Sequence, residues 1–318
     1  MFNLDKKDIR LIKELDFNAR ISISLLARNI RVSKEVASYR LKRLIDNKVV
    51  KGFVAVIDSY MLGYQLYRMQ LRFKEITEAL EKEVIEWSKK QPCIAGIVSL
   101  DGKWDLELSF WARNPSEFNQ IYEAFMTKFG THILRKVVSI IFEMEHRPYN
   151  FLYEKPNDYS LTVGCPSDLT IDKVDYTILD VLSKNCRIPL IDIAKKTRTT
   201  ANAVKYRIRN LEKKNIIKGY STILNNAYFK LNHYRVLLFL SDSAKKKTAQ
   251  NFLREQKDVI FITQLIGAAD IKFEILCASP IRIYKLIDEL NHIEPGLVRD
   301  FDEIITREEE IIDYFPNR

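Results

Sequence analysis

Cysteine and histidine are scarce in this chain of 318 residues, four of each, and neither clusters. Cys93, Cys165, Cys186 and Cys277 form no Cys-x-x-Cys pair, which argues against a zinc ribbon or a redox motif and leaves them as reduced thiols. His132, His146, His233 and His292 are equally scattered, so no metal site is expected. The nine glycines build no phosphate-cradling loop, and no nucleophile-base pair or carboxylate cluster stands out as enzymatic machinery. No apolar run approaches the roughly 18 to 20 residues of a bilayer span, and the opening MFNLDKKDIR sets acids where a secretory signal carries its hydrophobic stretch. A soluble, cytoplasmic protein without cofactors is the expectation.

What the chain does contain, it contains twice. ASYRLKRLIDNKVVKGF in the first half is echoed by AVKYRIRNLEKKNIIKGY in the second. Setting Asp5 on Asp172 gives an offset of 172 − 5 = 167, and matches then continue for some fifty residues without a gap. Asp8 falls on Asp175, Leu15 on Leu182, Arg20-Ile21 on Arg187-Ile188, Tyr39-Arg40 on Tyr206-Arg207 and Lys51-Gly52 on Lys218-Gly219. This is an internal duplication. Charge follows it: residues 1–51 hold 13 basic and 6 acidic side chains and residues 171–219 hold 12 and 5, each segment +7 in a chain of net +9. The rest sums to 9 − 14 = −5, so the basic character belongs to the repeated segments, the footprint expected of a phosphate-binding module.

Within each segment the apolar spacing predicts three short helices. The first opens behind a cap at Asn3 and ends near Asp16; the second, with Leu25, Leu26 and Ile30 on one face, is capped by Ser22 or Ser24. The third, capped by Ser33, buries Ala37, Leu41 and Leu44. A tight turn between the last two makes a helix-turn-helix, whose second helix fits the major groove of B-DNA. The candidate DNA-contacting set is Ser33, Lys34, Glu35, Ser38, Tyr39, Arg40, Lys42 and Arg43, and in the second copy Thr200, Asn202, Lys205, Tyr206, Arg207 and Arg209. Arg40 and Arg207 have two readings, a phosphate clamp or a pair with Asp8 and Asp175 inside the unit.

After each basic segment the pattern changes to strands and helices in the order βαββαβ, as in ferredoxin-like domains. The fold class expected is α+β, two copies of a winged helix-turn-helix followed by a ferredoxin-like domain. Boundaries fall at 1–51, 52–149, 171–219 and 220–318, with 150–170 as a linker rich in proline, polar and turn-forming residues.

LDKKDIRLIKEL with NARIS, the capped VSKEVASYRLKRL, VVKGF, and a Gly-x-x-Asp in the β-turn-β of each half together resemble the Lrp/AsnC family of transcription regulators, with its RAM-type αβ domain. The resemblance implies sequence-specific binding to double-stranded DNA, dimerisation through the αβ domains and sensing of a small molecule such as an amino acid. It places the effector site near Gly102 and Asp105 and near Gly267 and Asp270; the competing reading is that these glycines permit the turns and the aspartates cap them. Family members usually carry one unit per chain and pair; two joined units imply a pseudo-dimer within one chain, with a homodimer of chains as a further step. Two other readings compete. Siroheme decarboxylases resemble the same layout, but their histidine-containing aromatic stretch has no counterpart in IVSLDGKWDLELSFW or ITQLIGAADIKFEIL. A scaffold with vestigial DNA-binding units is opposed by the two +7 segments.

Overall fold

The computed structural model describes residues 3–16, 18–91 and 93–316, apart from the side chains of 310–312. Helix α1 (Lys6–Asp16) buries Leu11, Ile12 and Leu15. Its cap is Asp5 rather than Asn3: the Asp5 carboxylate accepts the N–H groups of Lys7 and Asp8 at 2.7 and 2.8 Å, and Asp5 is as good a capping residue as Asn and stands next to the first turn. Helix α2 (Ile23–Ile30) is capped by Ser22 and buries Leu26, Ala27 and Ile30, while Leu25 turns outward. It ends at Arg31 in the left-handed conformation, which makes the tight turn into α3 (Lys34–Asp46). There Ser33 caps, and Ala37, Leu41 and Leu44 are buried as the spacing predicts.

Strand β1 (Val50–Ile57) leads into the αβ part, which comprises β2 (Gln65–Phe73), α4 (Glu78–Lys89), β3 (Ile94–Asp101), β4 (Leu106–Ala112), α5 (Pro115–Phe129) and β5 (Ile133–His146). The segment 150–170 is no loose spacer: it contains β6 (Leu161–Val163), paired with the end of β5, and buries Leu161 and Val163. Its neighbour Tyr149 donates its N–H, and Tyr153 its hydroxyl, to Asp16 at the end of α1. Burial there pushes the Asp16 carboxyl up to about 7. Tyrosines and branched side chains between the prolines give the segment apolar area to bury, so it packs.

The second half repeats the plan with α6 (Lys173–Lys184), α7 (Leu190–Thr197), α8 (Ala201–Lys213) and β7 (Ile217–Leu224). It continues with β8 (Asn232–Leu240), α9 (Lys246–Glu255), β9 (Val259–Ile266), β10 (Ile271–Cys277), α10 (Ile281–Ile293) and β11 (Val298–Ile312). The strand orders β5-β2-β4-β3 and β11-β8-β10-β9 each form a ferredoxin-like sheet. The edge strand of each half then pairs with the last strand of the other, β3 with β11 and β9 with β5, both antiparallel. Eight strands thereby close into one barrel, and closure removes the unpaired edges that each half alone would present.

Side chains alternate across this barrel with the period of two that strands impose. Outward residues such as Tyr67, Met69 and Leu71 pack under α4 and α5, and Val236 and Leu238 pack under α9 and α10, giving each half its own helix-covered core. The inward residues are polar to an unusual degree: Arg68, Glu107, Arg235, Lys272 and Glu274 are all buried. Among the described residues no helix is long and apolar enough to cross a membrane.

Candidate nucleic-acid interface

The two helix-turn-helix units are locked together about a local dyad. Strands β1 and β7 form an antiparallel ribbon from Val50↔Leu224 to Ile57↔Ile217. The Arg187 guanidinium donates to the carbonyls of Ala19 (2.6 Å) and Ile21 (3.0 Å), while Arg20, its repeat partner, donates to those of Cys186 and Ile188. The Ala19 and Cys186 N–H groups donate to Tyr220 and Phe53 with the same reciprocity. The arginine of the NARIS stretch is thus a brace between units, and α3 and α8 are presented on one body.

On that body the exposed face of α3 carries Lys34, Glu35, Ser38, Tyr39 and Lys42, and that of α8 carries Asn202, Lys205, Tyr206 and Arg209. Tyr39 and Tyr206 are 65% and 67% exposed, so both rings are accessible from outside the chain. Ser33 and Thr200 accept the N–H groups of Val36 and Ala203 as caps. Of the fourteen candidate contact residues, three are arginines paired with acids of their own unit. Arg40 donates to Asp5 and Asp8, both at 2.7 Å, Arg43 to Asp8 at 2.7 Å, and Arg207 to Asp172 (2.7 Å) and Asp175 (2.9 Å). The internal pairing is therefore the reading of Arg40 and Arg207 that the structure displays. It joins the first and third helices of each unit, and the hydrogen bonds that the two guanidinium groups donate to the acids hold both protonated.

The four turn residues are likewise committed to the fold. Asp105 accepts from Arg72 and from the Phe73 N–H, each at 2.7 Å, and Asp270 accepts the N–H of Leu240 at 2.8 Å. Gly102 and Gly267 adopt φ of 118° and 126°, a region other residues avoid. A Cβ on Gly267 would lie 2.4 Å from the Val138 carbonyl oxygen of the opposite half. Each turn is shaped for its seat against the other half, with its aspartate bonded to the neighbouring strand.

Sequence reasoning missed the charges inside the barrel. Glu107 accepts from Lys272 at 3.0 Å and from Arg235 at 2.9 Å, and lies 3.2 Å from Arg68 Nε; Arg235 also meets Glu274 at 3.1 Å and Glu309 at 2.8 Å. Burial would raise the Glu107 carboxyl, but Arg68, Lys272 and Arg235 together hold it at about 2. His233, Glu274 and Glu309 bring three potential ligand atoms within 4.8 Å of one another. Arg235 bridges both of these acids, so a cation entering there would meet charge already compensated. The available signal was a charged or polar residue at every second place in strands otherwise apolar, Arg68-x-Gln70, Glu107-x-Ser109, His233-x-Arg235 and Lys272-x-Glu274.

Comparison with known proteins agrees with this geometry. A winged helix-turn-helix DNA-binding family model matches residues 4–51 and 171–218. A helix-turn-helix transcriptional regulator of Pyrococcus abyssi is 30% identical over 121 residues, 37% of this chain and 79% of the relative. The regulator LrpA of Pyrococcus horikoshii is 46% identical over 55 residues, 17% of this chain and 39% of that one. Among solved structures the siroheme decarboxylase NirDL superposes with a TM-score of 0.65 over 98% of this chain and 94% of its own at 10% identity, a likeness of fold that extends to the tandem arrangement. With both helix-turn-helix units and both αβ units in place, the chain belongs to the Lrp/AsnC family of DNA-binding transcription regulators, as a tandem member with two units on one polypeptide.

Proposed function

We propose that one chain reads an asymmetric DNA site through two unlike recognition helices, the closed barrel acting as a built-in dimerisation domain. The observation that carries this is the contrast between buried and exposed positions on α3 and α8. Ala37, Leu41 and Leu44 correspond to buried Val204, Ile208 and Leu211, but of the five outward positions only the tyrosine is shared. Lys34 and Glu35 suit guanine acceptors and a cytosine amino group, whereas Asn202 suits adenine and Arg209 suits guanine or phosphate. Two half-sites about one helical turn apart, roughly 34 to 36 Å, are expected to differ in sequence. Two chains associating would restore a palindrome from asymmetric units.

Selection of bound duplexes from random DNA with the purified chain tests this. Transplanting the α8 residues Ala201, Asn202, Lys205 and Arg209 onto positions 34, 35, 38 and 42 of α3 should change one half-site and leave the other. Lys42→Ala with Arg209→Ala should weaken all sites and flatten the salt dependence, which for roughly six to ten phosphate contacts spans about 10³ to 10⁵-fold between 50 and 200 mM salt. The same sequence recovered under both helices would end this reading.

We read the likeness to a siroheme decarboxylase as one of fold rather than of chemistry. The cavity inside this barrel measures about 80 Å³, against roughly 300 Å³ or more for pockets that enclose sizeable organic ligands, and ion pairs occupy the rest of that face. Of four surface recesses of 360 to 420 Å³, one lies against α8 of the second helix-turn-helix unit, and none is lined by histidine. An iron uroporphyrin mixed with the protein should keep the absorption spectrum of the free compound; a saturable Soret shift would bring the enzyme reading forward.

A further inference from the structure

The duplication makes the two halves of the barrel interior comparable position by position. Arg68 on β2 and Arg235 on β8 are repeat partners at the offset of 167 (235 − 68), and from β3 and β9 onward the offset is 165, so Glu274 answers to Ser109 (274 − 109) and Glu309 to Met144 (309 − 144). Strand register confirms it. Arg68 lies opposite Ser109 as Arg235 lies opposite Glu274, and Met144 opposite Thr263 as Glu309 lies opposite Val98, with the same irregularity in both ladders. In the second half the arginine is met by two carboxylates, Glu274 at 3.1 Å and Glu309 at 2.8 Å. In the first half a hydroxyl and a thioether stand in their places. The cavity of about 80 Å³ opens between the halves there, lined by Arg68, Ser109, Met144 and Trp111 of the first half and reaching Glu309 and Asp313 of the second.

The consequence for Arg68 is a guanidinium only partly satisfied. Its side chain is 7% exposed; Nε donates to Ser109 Oγ at 3.3 Å and lies 3.2 Å from Glu107, but Nη1 is buried without an acceptor. A buried donor left in this state is costly and calls for an acceptor from outside the chain. We infer that this cavity binds a small monocarboxylate, whose carboxylate takes the place beside Arg68 that Glu274 fills beside Arg235.

The surroundings fit that class. Arg68, Arg235 and Lys272 balance Glu107, Glu274 and Glu309, and the fourth acid of the lining, Asp313, has its carboxyl pushed up by burial. Ser109 Oγ accepts from Arg68, which leaves its proton free to donate to a second carboxylate oxygen. Leu66, Ala95 and Trp111 supply an apolar wall for a short tail. At about 30 Å³ per water in the liquid the space suits a molecule of acetate or propionate size. This assignment does not depend on DNA binding, and its test is read without DNA.

Calorimetry and thermal unfolding of the full chain, with acetate, propionate, propionamide and propanol at constant ionic strength, decide it. Propionate should bind saturably, one per chain, and raise the unfolding midpoint; propionamide and propanol should do neither. Ser109→Glu supplies the missing carboxylate within the chain, so it should raise the midpoint of the free protein and weaken propionate binding about tenfold or more. Ala95→Leu fills the space without changing charge and should weaken binding as well, which keeps the test intact if the first variant does not fold. Propionamide binding as tightly as propionate, no carboxylate binding into the millimolar range, or binding untouched by both variants would each overturn the assignment, the second leaving a cavity that holds water alone.

Discussion

A chain cut to residues 1–150 should not persist as a folded monomer. Cutting there strips β11 from β3 and β9 from β5, exposing two long strand edges, and removes β7 from the ribbon that braces the first helix-turn-helix unit. It also opens the inward face, leaving Arg68 and Glu107 without Lys272 and Arg235. Exposed edges recruit other strands. A homodimer of half-chains, with each copy standing in for the absent half, is electrostatically permitted, because two Arg68 and two Glu107 would face one another in balance. Size-exclusion chromatography with light scattering should therefore show a dimer or aggregates. A well-folded monomer at micromolar concentration would mean that closure of the barrel contributes little to holding each half together.

The parts of this architecture that could be read from sequence are those written in local periodicity. The caps Ser33 and Thr200, the buried stripes of α3 and α8, and the βαββαβ order all follow from spacing within a dozen residues, and the gapless offset of 167 exposes the duplication. The cap of α1 slipped from Asn3 to Asp5 because two good capping residues stand two places apart and only the turn geometry chooses between them. Folding of 150–170 against α1 and β5 was hidden because prolines and polar residues dominate its composition, while its packing depends on Tyr153, Leu161 and Val163 finding partners far along the chain. The interior ion pairs were hidden for a related reason: Glu107 and Lys272 lie 165 residues apart, and nothing local distinguishes a charge facing the barrel lumen from one facing solvent. The alternation was visible as a pattern, but its meaning needed the closure. Arg40 shows the converse. Its two readings differ only in which anion it meets, and the nearby Asp5 and Asp8 meet it in the folded unit.

Glu107→Ala should be the most damaging single substitution in the barrel. The carboxylate is 1% exposed and lies within reach of three cations, Arg68, Arg235 and Lys272. Removing it leaves three buried positive charges facing Glu274 and Glu309 alone, and uncompensated buried charge typically costs about 3 to 5 kcal/mol. Glu107→Leu with Lys272→Met removes one charge of each sign and restores balance, so it should recover most of that loss, since apolar replacement of a buried pair is often neutral or stabilising. Acid unfolding gives an independent reading of the same group. The folded carboxyl sits at about 2 and the unfolded one near its ordinary 4.5, so between these values the unfolded chain binds a proton that the folded chain does not. The contribution of Glu107 is therefore complete above about pH 4.5 and is lost as pH falls toward 2. Lys272, which burial holds down to about 8, does not titrate in that window. Denaturant melts across it should show the wild-type chain losing stability more steeply than the double variant. Parallel slopes, or a Glu107→Ala chain within about 1 kcal/mol of wild type, would mean that the interior charges are solvated well enough not to need one another.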